Sequence, residues 1–402
     1  MFNPVLDGLP ENAFPRLAKL IVGVQPGGGN GAPILMSLGE PQHPIPAFIG
    51  DILNARLKDY GKYPPIQGSD NFRAAVARWL NRRYGLSRHP VNTESHILPL
   101  NGTREGLFSI AFLVTPPQKN GRQPAVLMPN PFYQCYAGAA LAAGAEPVYL
   151  DATRANGFLP DLDALGPELL SRTALFYLCS PANPQGSVAD MAYLKRLVQL
   201  ARAHDFVLAL DECYAEIYNQ NPPPGGLQAA SELAADGAAE PFANVLVFHS
   251  LSKRSSLPGL RSGFVAGDAR IIERFRNFRA TIGPTNPLPA DAAAAAAWSD
   301  EAHVQENRKL YAQKFDAADE ILAGRFGYAR PAGGFFLWLD VGDGEAAALK
   351  LWREAGVKVL PGKYLARGAV GDAYIRVALV GPLDETIEGL RRIRRTLEAE
   401  TK

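Results

Sequence analysis

The sequence predicts an α/β protein built on a mostly parallel sheet. Three short apolar runs support this prediction, because each has the length of a buried strand and each ends in polar residues. These runs cover residues 174–179, 206–210 and 245–248. Since ligands bind at the carboxyl ends of strands in open α/β sheets, we expect the polar residues after these runs to share one site.

Each run leads into a segment of distinct chemistry. The first enters a turn rich in proline, asparagine and glycine at residues 180–186, and the second ends in the acidic pair Asp211-Glu212. The third delivers Lys253, which has serines on its N-terminal side and arginines on its C-terminal side. The sequence therefore predicts that an amine, a carboxylate and an amide lie along one edge of the sheet.

The remaining pattern suggests a large domain followed by a smaller one. Predicted helices at 49–58 and 105–114 belong to an alternation with strands that continues to about residue 280, and 402 residues allow roughly two to three domains. Six alanines at 292–297 predict a plain buried helix. We expect an arm and part of the small domain at 1–45, with a glycine-rich connector at 26–31. The large domain would span 46–285, and the small domain 286–402, with strand-like runs at 335–340 and 373–380.

Lys253 stands in a segment suited to an aldehyde cofactor that carries a phosphate. The lysine offers an amine for a Schiff base, Ser250 and Ser252 offer hydroxyls, and Arg254 and Arg261 offer positive charge for a dianion. By itself, the same cluster is also typical of a solvated basic turn. The segment alone leaves both interpretations open.

Seven motifs in order resemble the fold type I aminotransferases, the pyridoxal-phosphate enzymes of the aspartate aminotransferase superfamily. The motifs lie at 63–68, 101–104, 131–133, 183–186, 211–214, 250–261 and 374–378. The resemblance covers nearly the whole chain. It implies a mostly parallel seven-stranded sheet with helices on both faces in the large domain, together with a smaller α+β domain.

The resemblance implies a pyridoxal 5'-phosphate site with Lys253, Asp211 and Tyr214 as catalytic residues. Asp211 would face the pyridine nitrogen and keep it protonated, although an acidic residue after a strand can also cap a helix. Asn183 and Tyr214 would hydrogen-bond the ring oxygen. Tyr133 would lie on the ring face, where an aromatic side chain can also be plain core.

The same resemblance assigns residues to the cofactor phosphate. Backbone amides at the start of a predicted helix and side chains beside the lysine would bind the dianion. They are Gly102, Thr103, Arg104, Ser250, Ser252 and Arg261. Tyr63 would contribute a hydroxyl from the neighbouring subunit, which implies a homodimer with shared active sites.

Arg376 is the predicted anchor for a substrate α-carboxylate, because a guanidinium binds a carboxylate through two parallel hydrogen bonds. A surface arginine on an edge strand is the alternative, which the apolar neighbours Ile375 and Val377 disfavour. Asn183 and the backbone of Gly39 would also contact the substrate.

Three stretches, at 249–268, 334–339 and 359–367, are most similar to the proteobacterial N-succinyl-LL-diaminopimelate aminotransferases. This similarity implies transamination of N-succinyl-2-amino-6-oxopimelate with glutamate as donor, in lysine and diaminopimelate biosynthesis. Segment 283–287 departs from that group. Residues that would hold the succinyl carboxylate are candidates by charge and expected proximity only: Arg16, Lys19, Gln25 and Lys363.

Other functions of the same fold remain open at this stage. A broad-specificity or aspartate-type aminotransferase, or a lyase, would retain Lys253, Asp211 and Arg376. A regulatory module would need a DNA-binding segment, and only a short arm precedes the motifs.

Composition agrees with a cytoplasmic enzyme that acts on small amino and oxo acids. The net charge of +1 suggests neither a nucleic-acid nor a membrane partner. The first ten residues do not look like a secretory signal. Cys135, Cys179 and Cys213 lack the spacing of a zinc site, so no metal is expected, and the last two are interpreted as inert core thiols in a reducing compartment.

Overall fold

The computed structural model describes residues 4–28 and 31–398. Residues 1–3, 29–30 and 399–402, which belong to the predicted arm, the glycine-rich connector and the C-terminal end, lie outside the described residues. The described strands are β1 Ile34–Leu35, β2 Ile97–Leu100, β3 Ala125–Asn130, β4 Glu146–Asp151, β5 Thr173–Cys179, β6 Val207–Asp211, β7 Val245–Ser250, β8 Gly263–Gly267, β9 Phe336–Asp340, β10 Val357–Lys358, β11 Leu360–Pro361 and β12 Tyr374–Ala378.

Helices surround these strands in an alternating order. The described α-helices are α1 Ala13–Leu20, α2 Phe48–Ala55, α3 Asp70–Arg83, α4 Thr103–Val114, α5 Gln134–Ala142, α6 Pro167–Arg172, α7 Met191–Ala203, α8 Gly226–Leu233, α9 Leu251–Arg254, α10 Ala269–Ile282, α11 Leu288–Ser299, α12 Ala302–Leu322, α13 Gly344–Ala355 and α14 Leu383–Glu398. Nowhere in 4–28 or 31–398 does a helix combine the length and apolar character needed to cross a membrane.

A seven-stranded sheet with the order β2-β8-β7-β6-β5-β3-β4 forms the centre of the protein. Neighbouring strands from β7 to β4 run parallel, whereas β8 is antiparallel to both β7 and β2. The predicted mostly parallel seven-stranded sheet is confirmed. In the observed register, Cys179 is opposite Asp211 and Asp211 is opposite Phe248, so β5, β6 and β7 end side by side.

Both faces of the sheet are buried, which explains why its strands read as continuous apolar runs. Alternate residues of one strand point to opposite faces. In β6, Leu208 and Leu210 belong to one hydrophobic cluster, while Val207 and Ala209 belong to another. Each large apolar side chain buried in this way contributes on the order of 2 kcal/mol. This burial holds the carboxyl edge of the sheet in place.

A second unit covers that edge. Strands β11, β12 and β9 form a three-stranded antiparallel sheet, and β1 pairs in parallel with β10. Side chains from these strands and from helices α12, α13 and α14 share one hydrophobic cluster. Because β1 belongs to this unit, the N-terminal segment returns to pack with the C-terminal part of the chain.

Helix α11 contains the alanine run and is buried, as the sequence predicts. Its Ala293 and Ala294 lie in the same cluster as the helices beside the large sheet, and the ring of Trp298 is 4.8 Å from that of Trp79. Small side chains permit this close approach of helices. The domain boundary after residue 285 stays a prediction. Helix α11 follows that boundary in the chain and nevertheless packs with the large sheet.

Candidate active site

A cavity of about 460 Å³ opens at the carboxyl ends of β5, β6 and β7. Strands β9 and β12 of the second unit close it from the opposite side with Phe336 and Arg376. With the exceptions of Gly102, Tyr63 and Arg254, the residues predicted to bind the cofactor and the substrate α-carboxylate line this one cavity. They are Gly39, Thr103, Arg104, Tyr133, Asn183, Asp211, Tyr214, Ser250, Ser252, Lys253, Arg261 and Arg376.

Lys253 projects into the cavity from α9, a helix of only four residues that follows β7. Ser250 caps this helix by accepting a hydrogen bond from the backbone N–H of Ser252. The Lys253 Nζ donates to the carbonyl of Gly39 at 2.6 Å. Burial lowers the pKa of Lys253 to about 8, and the positive charge of Arg376 acts in the same direction. With a pKa of about 8, roughly a tenth of this amine is neutral at pH 7, far more than for an ordinary lysine, and this neutral form can act as a nucleophile and base.

Asp211 ends β6 on the floor of the cavity. Its Oδ2 accepts a hydrogen bond of 2.7 Å from the Tyr136 hydroxyl, and that ring stacks on Tyr177 with centroids 4.5 Å apart. Burial raises the pKa of Asp211, while the hydrogen bond from Tyr136 partly offsets this. No helix begins at Asp211, since the next one starts at Gly226. A helix-capping role for this carboxylate is therefore wrong, and its charge calls for a cationic partner in the cavity.

Arg376 lies buried on the other side of the cavity. It donates to Asn183 Oδ1 at 3.1 Å and to the Ser37 carbonyl at 2.7 Å, and its guanidinium stands 4.3 Å from the Phe336 ring centroid. Burial lowers its pKa to about 10. Within residues 4–28 and 31–398 no acidic side chain forms an ion pair with it, and its Nε is buried without a hydrogen-bond partner. The alternative of a surface arginine is wrong, and the position suits a carboxylate ligand.

Tyr214 is also buried, beside the aromatic pair of the second unit. Its ring makes edge contacts with Phe335 and Phe336, at centroid distances of 5.3 and 6.0 Å. Burial raises the pKa of Tyr214 well above its usual value, so its hydroxyl remains protonated and can donate a hydrogen bond.

An anion cradle forms where α4 begins. Gly102 caps this helix with a φ of 75°, and Thr103 and Arg104 of the first turn line the cavity, where backbone amides at a helix start suit an anion. Arg261, itself left-handed with a φ of 54°, donates to the Asn101 carbonyl at 3.0 Å. A side chain at residue 102 would be strained by the positive φ of that position, and its Cβ would also displace the Arg261 guanidinium, which lies 2.3 Å away, so glycine suits the position. Ser250 and Ser252, whose hydroxyls are 2.8 Å apart, add further donors.

Tyr133 and Arg104 form a pair at the cavity wall. The Arg104 Nε donates to the Tyr133 hydroxyl, and its guanidinium stands 5.4 Å from the centre of that ring. Sequence reasoning assigned only the backbone amide of Arg104 to the site. The structure adds its side chain, which fixes the plane of the Tyr133 ring.

Some predicted residues are not brought to the cavity. Tyr63 is fully exposed, and none of Arg16, Lys19, Gln25 and Lys363 lines the cavity. Arg16 instead stacks 4.0 Å over the ring of Tyr364, and Lys19 and Lys363 form ion pairs with Glu11 and Glu345. The positive charge of these residues did not predict substrate binding, because three of them already interact with acidic or aromatic side chains outside the cavity.

Other cavity residues were missed from the sequence. Tyr136 follows Tyr133 by three positions. This spacing places both side chains on one side of a helix start, and it could have indicated that Tyr136 reaches the cavity together with Tyr133. Cys179 and Cys213 were interpreted as core thiols, but both line the cavity next to Asp211. His249, which precedes the lysine segment, has a structural position, since its Nε2 lies 2.8 Å from Glu212 and its ring packs on Trp79.

Comparison with known proteins decides the family. A family model described as aminotransferase class I and II matches residues 34–393. The chain belongs to this family. It is therefore a pyridoxal-phosphate-dependent aminotransferase.

Full-length relatives agree with this assignment. The aminotransferase is 30% identical to the LL-diaminopimelate aminotransferase of Moorella thermoacetica, with 97% of this chain and 96% of that protein covered. A solved aminotransferase from Neisseria meningitidis is similar at 41% identity and a TM-score of 0.90, over 98% and 99% of the two chains. A probable N-succinyldiaminopimelate aminotransferase from Thermus thermophilus is similar at 26% identity and a TM-score of 0.82, over 96% and 100%.

The residues of the cavity fit pyridoxal phosphate on three structural grounds. Lys253 is a partly neutral amine, Asp211 is a buried carboxylate that needs a cationic partner, and the turn at Gly102 with Arg261 is built for a dianion. These groups lie in one cavity of sufficient size for the cofactor. The assignment of individual roles remains a prediction, which two substitutions test.

Lys253→Ala should abolish turnover and leave the fold intact, because the side chain points into a cavity and its amine donates one hydrogen bond within the described residues, to the Gly39 carbonyl. Steady-state kinetics and circular dichroism measure the two effects. Borohydride reduction of the wild-type holoenzyme followed by peptide mapping should find the cofactor on Lys253, and attachment at another lysine would refute the assignment.

Asp211→Asn should lower kcat by about 10²- to 10³-fold, since it removes a preorganised charge from the site but keeps the size of the side chain. Cofactor binding, followed by absorbance, should persist. Tyr136→Phe, which removes only the hydrogen bond to Asp211, should have a smaller effect. Near-normal kcat for Asp211→Asn would show that this carboxylate does not act on the cofactor.

Proposed function

We propose that this aminotransferase transfers an amino group from glutamate to N-succinyl-2-amino-6-oxopimelate, as a succinyldiaminopimelate transaminase of lysine and diaminopimelate biosynthesis. The observation that supports the reaction type is the meeting of Lys253, Asp211 and the buried Arg376 in one cavity. The substrate class is supported by relatives whose names refer to diaminopimelate and by the three stretches of sequence similarity.

LL-diaminopimelate aminotransferase activity is the second candidate. Several curated relatives that span almost the full chain have this name, at 28% to 31% identity. The two substrates share the amino-acid end and differ in the group at the distal nitrogen. Candidates for distinguishing them are Phe14 of α1 and Leu38 of the loop before α2, which line the cavity and are exposed.

Pyridoxal phosphate supplies the electron sink that stabilises negative charge at the substrate Cα. Lys253 would hold the cofactor aldehyde and later move the Cα proton as general base and acid. Asp211 would hold positive charge on the pyridine nitrogen, with Tyr136 fixing the carboxylate. Tyr214 and Asn183 would donate to the ring oxygen, and Tyr133 would support the ring face.

Substrate orientation would depend on Arg376. Its guanidinium can bind the α-carboxylate through two parallel hydrogen bonds, because neither of its present acceptors, Asn183 and Ser37, carries a charge. Fixing the carboxylate selects which bond at Cα is perpendicular to the ring. Asn183 contacts Arg376 at 3.1 Å and would link substrate and cofactor binding.

A homodimer with shared active sites is part of this proposal. Tyr63 is entirely exposed, and Leu57 and Tyr60 just before it are also largely exposed. An apolar and aromatic surface of this kind is typical of an interaction site. A second copy of the chain would cover it, and Tyr63 would then reach the cofactor phosphate of the partner subunit.

The cellular setting proposed is the cytoplasm. All three cysteines are free thiols, which suits a reducing compartment. The partners are small amino and oxo acids.

A half-reaction screen tests the substrate. Glutamate should convert the bound cofactor stoichiometrically to its amine form, which absorbance measures, and a lyase would not do so. N-succinyl-LL-diaminopimelate should react with kcat/KM at least about 10-fold above that of LL-diaminopimelate or aspartate. A preference for LL-diaminopimelate would favour the second candidate, and a preference for aspartate would reject both.

Subunit mixing tests the shared site. When Tyr63→Phe and Lys253→Ala subunits exchange, hybrid dimers should contain one pocket with both defects and one pocket with neither. Activity should rise above that of either parent variant, as measured after refolding or slow exchange. If Tyr63 served its own pocket, every hybrid site would carry one defect and no such rise would occur.

A further inference from the structure

A hydrogen-bonded chain of two buried side chains and one half-buried imidazole leads from helix α12 to the main chain of Lys253. Lys314 Nζ lies 2.7 Å from His43 Nε2, and His43 Nδ1 lies 2.7 Å from Asn307 Oδ1. Asn307 Nδ2 then donates to the carbonyl oxygens of Lys253 and Arg254, at 3.2 Å in each case. None of these three side chains lines the cofactor cavity, yet the chain ends on the residue proposed as the catalytic amine.

The protonation of this chain follows from burial. Burial lowers the pKa of Lys314 to about 8 and also lowers the pKa of His43, so at neutral pH a mainly cationic lysine faces a neutral imidazole. A lysine cation has donors only, so His43 must accept at Nε2 and carry its proton on Nδ1. Asn307 therefore accepts through Oδ1 and presents its NH₂ group to the two carbonyls. Every link has one donor and one acceptor.

A series of aromatic contacts also connects His43 with the side chain of Lys253. The His43 ring lies 4.4 Å from that of Tyr311, which stacks on Phe335 at 5.4 Å with an interplanar angle of 21°. The centre of the Phe335 ring is 5.3 Å from Lys253 Nζ. The backbone and the amine of Lys253 are thus both supported from the region of His43.

Helix α9 needs such support because it has only four residues, Leu251–Arg254. A helix of one turn satisfies few of its own carbonyl groups and is unstable by itself. Asn307 satisfies two of these carbonyls, and its Oδ1 also accepts from Ser256 at 3.3 Å, just beyond the helix. A shift of this turn would move Lys253 Nζ relative to anything bound in the cavity.

We propose that Asn307, His43 and Lys314 are positioning residues for Lys253, and that Lys314 sets the direction of the hydrogen bonds by which Asn307 holds the α9 carbonyls. The proposal depends on the role of Lys253 in the proposed function. It assigns to the buried Asn307 and Lys314 and to the half-buried His43, all outside the cavity, an effect on the reaction rather than on substrate binding.

Asn307→Asp is the principal test. Aspartate keeps the size and the Oδ1 acceptor of asparagine but cannot donate to the Lys253 and Arg254 carbonyls. In the holoenzyme we expect kcat to fall by about 10- to 100-fold, as for a small misplacement of a catalytic group. KM for glutamate should change by less than about 3-fold, because ground-state binding is left in place. The pH titration of the lysine-bound cofactor absorbance should shift.

Lys314→Met is a second variant, useful if a buried aspartate at 307 prevents folding. Methionine keeps an unbranched apolar stem and removes the cation, so His43 loses the donor that fixes its tautomer. We expect changes in the same direction as for Asn307→Asp but smaller, about 3- to 10-fold in kcat. Glu306→Gln is the matched control, since this exposed residue neighbours Asn307 on α12 and should leave kcat and titration unchanged.

The outcomes separate positioning from stability. Unchanged kcat and cofactor titration in both Asn307→Asp and Lys314→Met, even with a lower melting temperature, would show a purely structural role and overturn the proposal. Retention of turnover by Lys253→Ala would instead overturn the proposed role of Lys253. The two failures are therefore distinguishable by which variant keeps its activity.

Discussion

The register of the parallel strands is the constraint on which the site depends. Strands β5, β6 and β7 end side by side because Cys179, Asp211 and Phe248 are aligned across the sheet. This alignment places the buried carboxylate of Asp211 one strand away from the turn that presents Lys253. Since a one-residue slip would turn every side chain of a strand to the opposite face, the register decides which polar side chains at the strand ends face the cavity.

Desolvation is the second organising effect. The charged groups of the cavity are removed from water, and this burial shifts the pKa of each group in the direction that favours its neutral form. The pKa values of Lys253 and Arg376 fall, to about 8 and about 10, and that of Asp211 rises. These shifts make the amine reactive and leave Arg376 and Asp211 in need of partners of opposite charge. Such perturbed groups in one cavity are typical of an active site.

The second unit of the protein turns a sheet edge into an enclosed site. Arg376 on β12 and Phe336 on β9 come from the far end of the chain, and Gly39 comes from the N-terminal segment that returns through β1. A Cβ on Gly39 would approach the Phe336 ring to 2.5 Å, so close contact between these segments requires glycine. The hydrogen-bonded chain from Lys314 through Asn307 extends the same principle, because helix α12 of this unit supports the turn that carries Lys253.

The roles expected for Lys253, Asp211 and Arg376 came from the resemblance of the motifs to a known family, whereas the sequence by itself predicted three strands of the large sheet and the polar residues at their ends. It could do so because buried parallel strands are continuous apolar runs and because polar residues at their carboxyl ends meet at one edge. Only the tertiary structure decided which other side chains reach the cavity. Tyr136 and Cys213 line it, whereas Lys363 does not, since packing and ion pairs between distant segments leave no local signal in the sequence.

The sequence also could not indicate the environment of each charge. Lys314 and Lys363 have the same side chain, but Lys314 is buried beside His43 while Lys363 pairs with Glu345 near the surface. The difference arises from the packing of α12 against a loop 271 residues away in the chain. Burial and long-range pairing set the pKa, the protonation state and so the function of a residue, and both are properties of the folded chain.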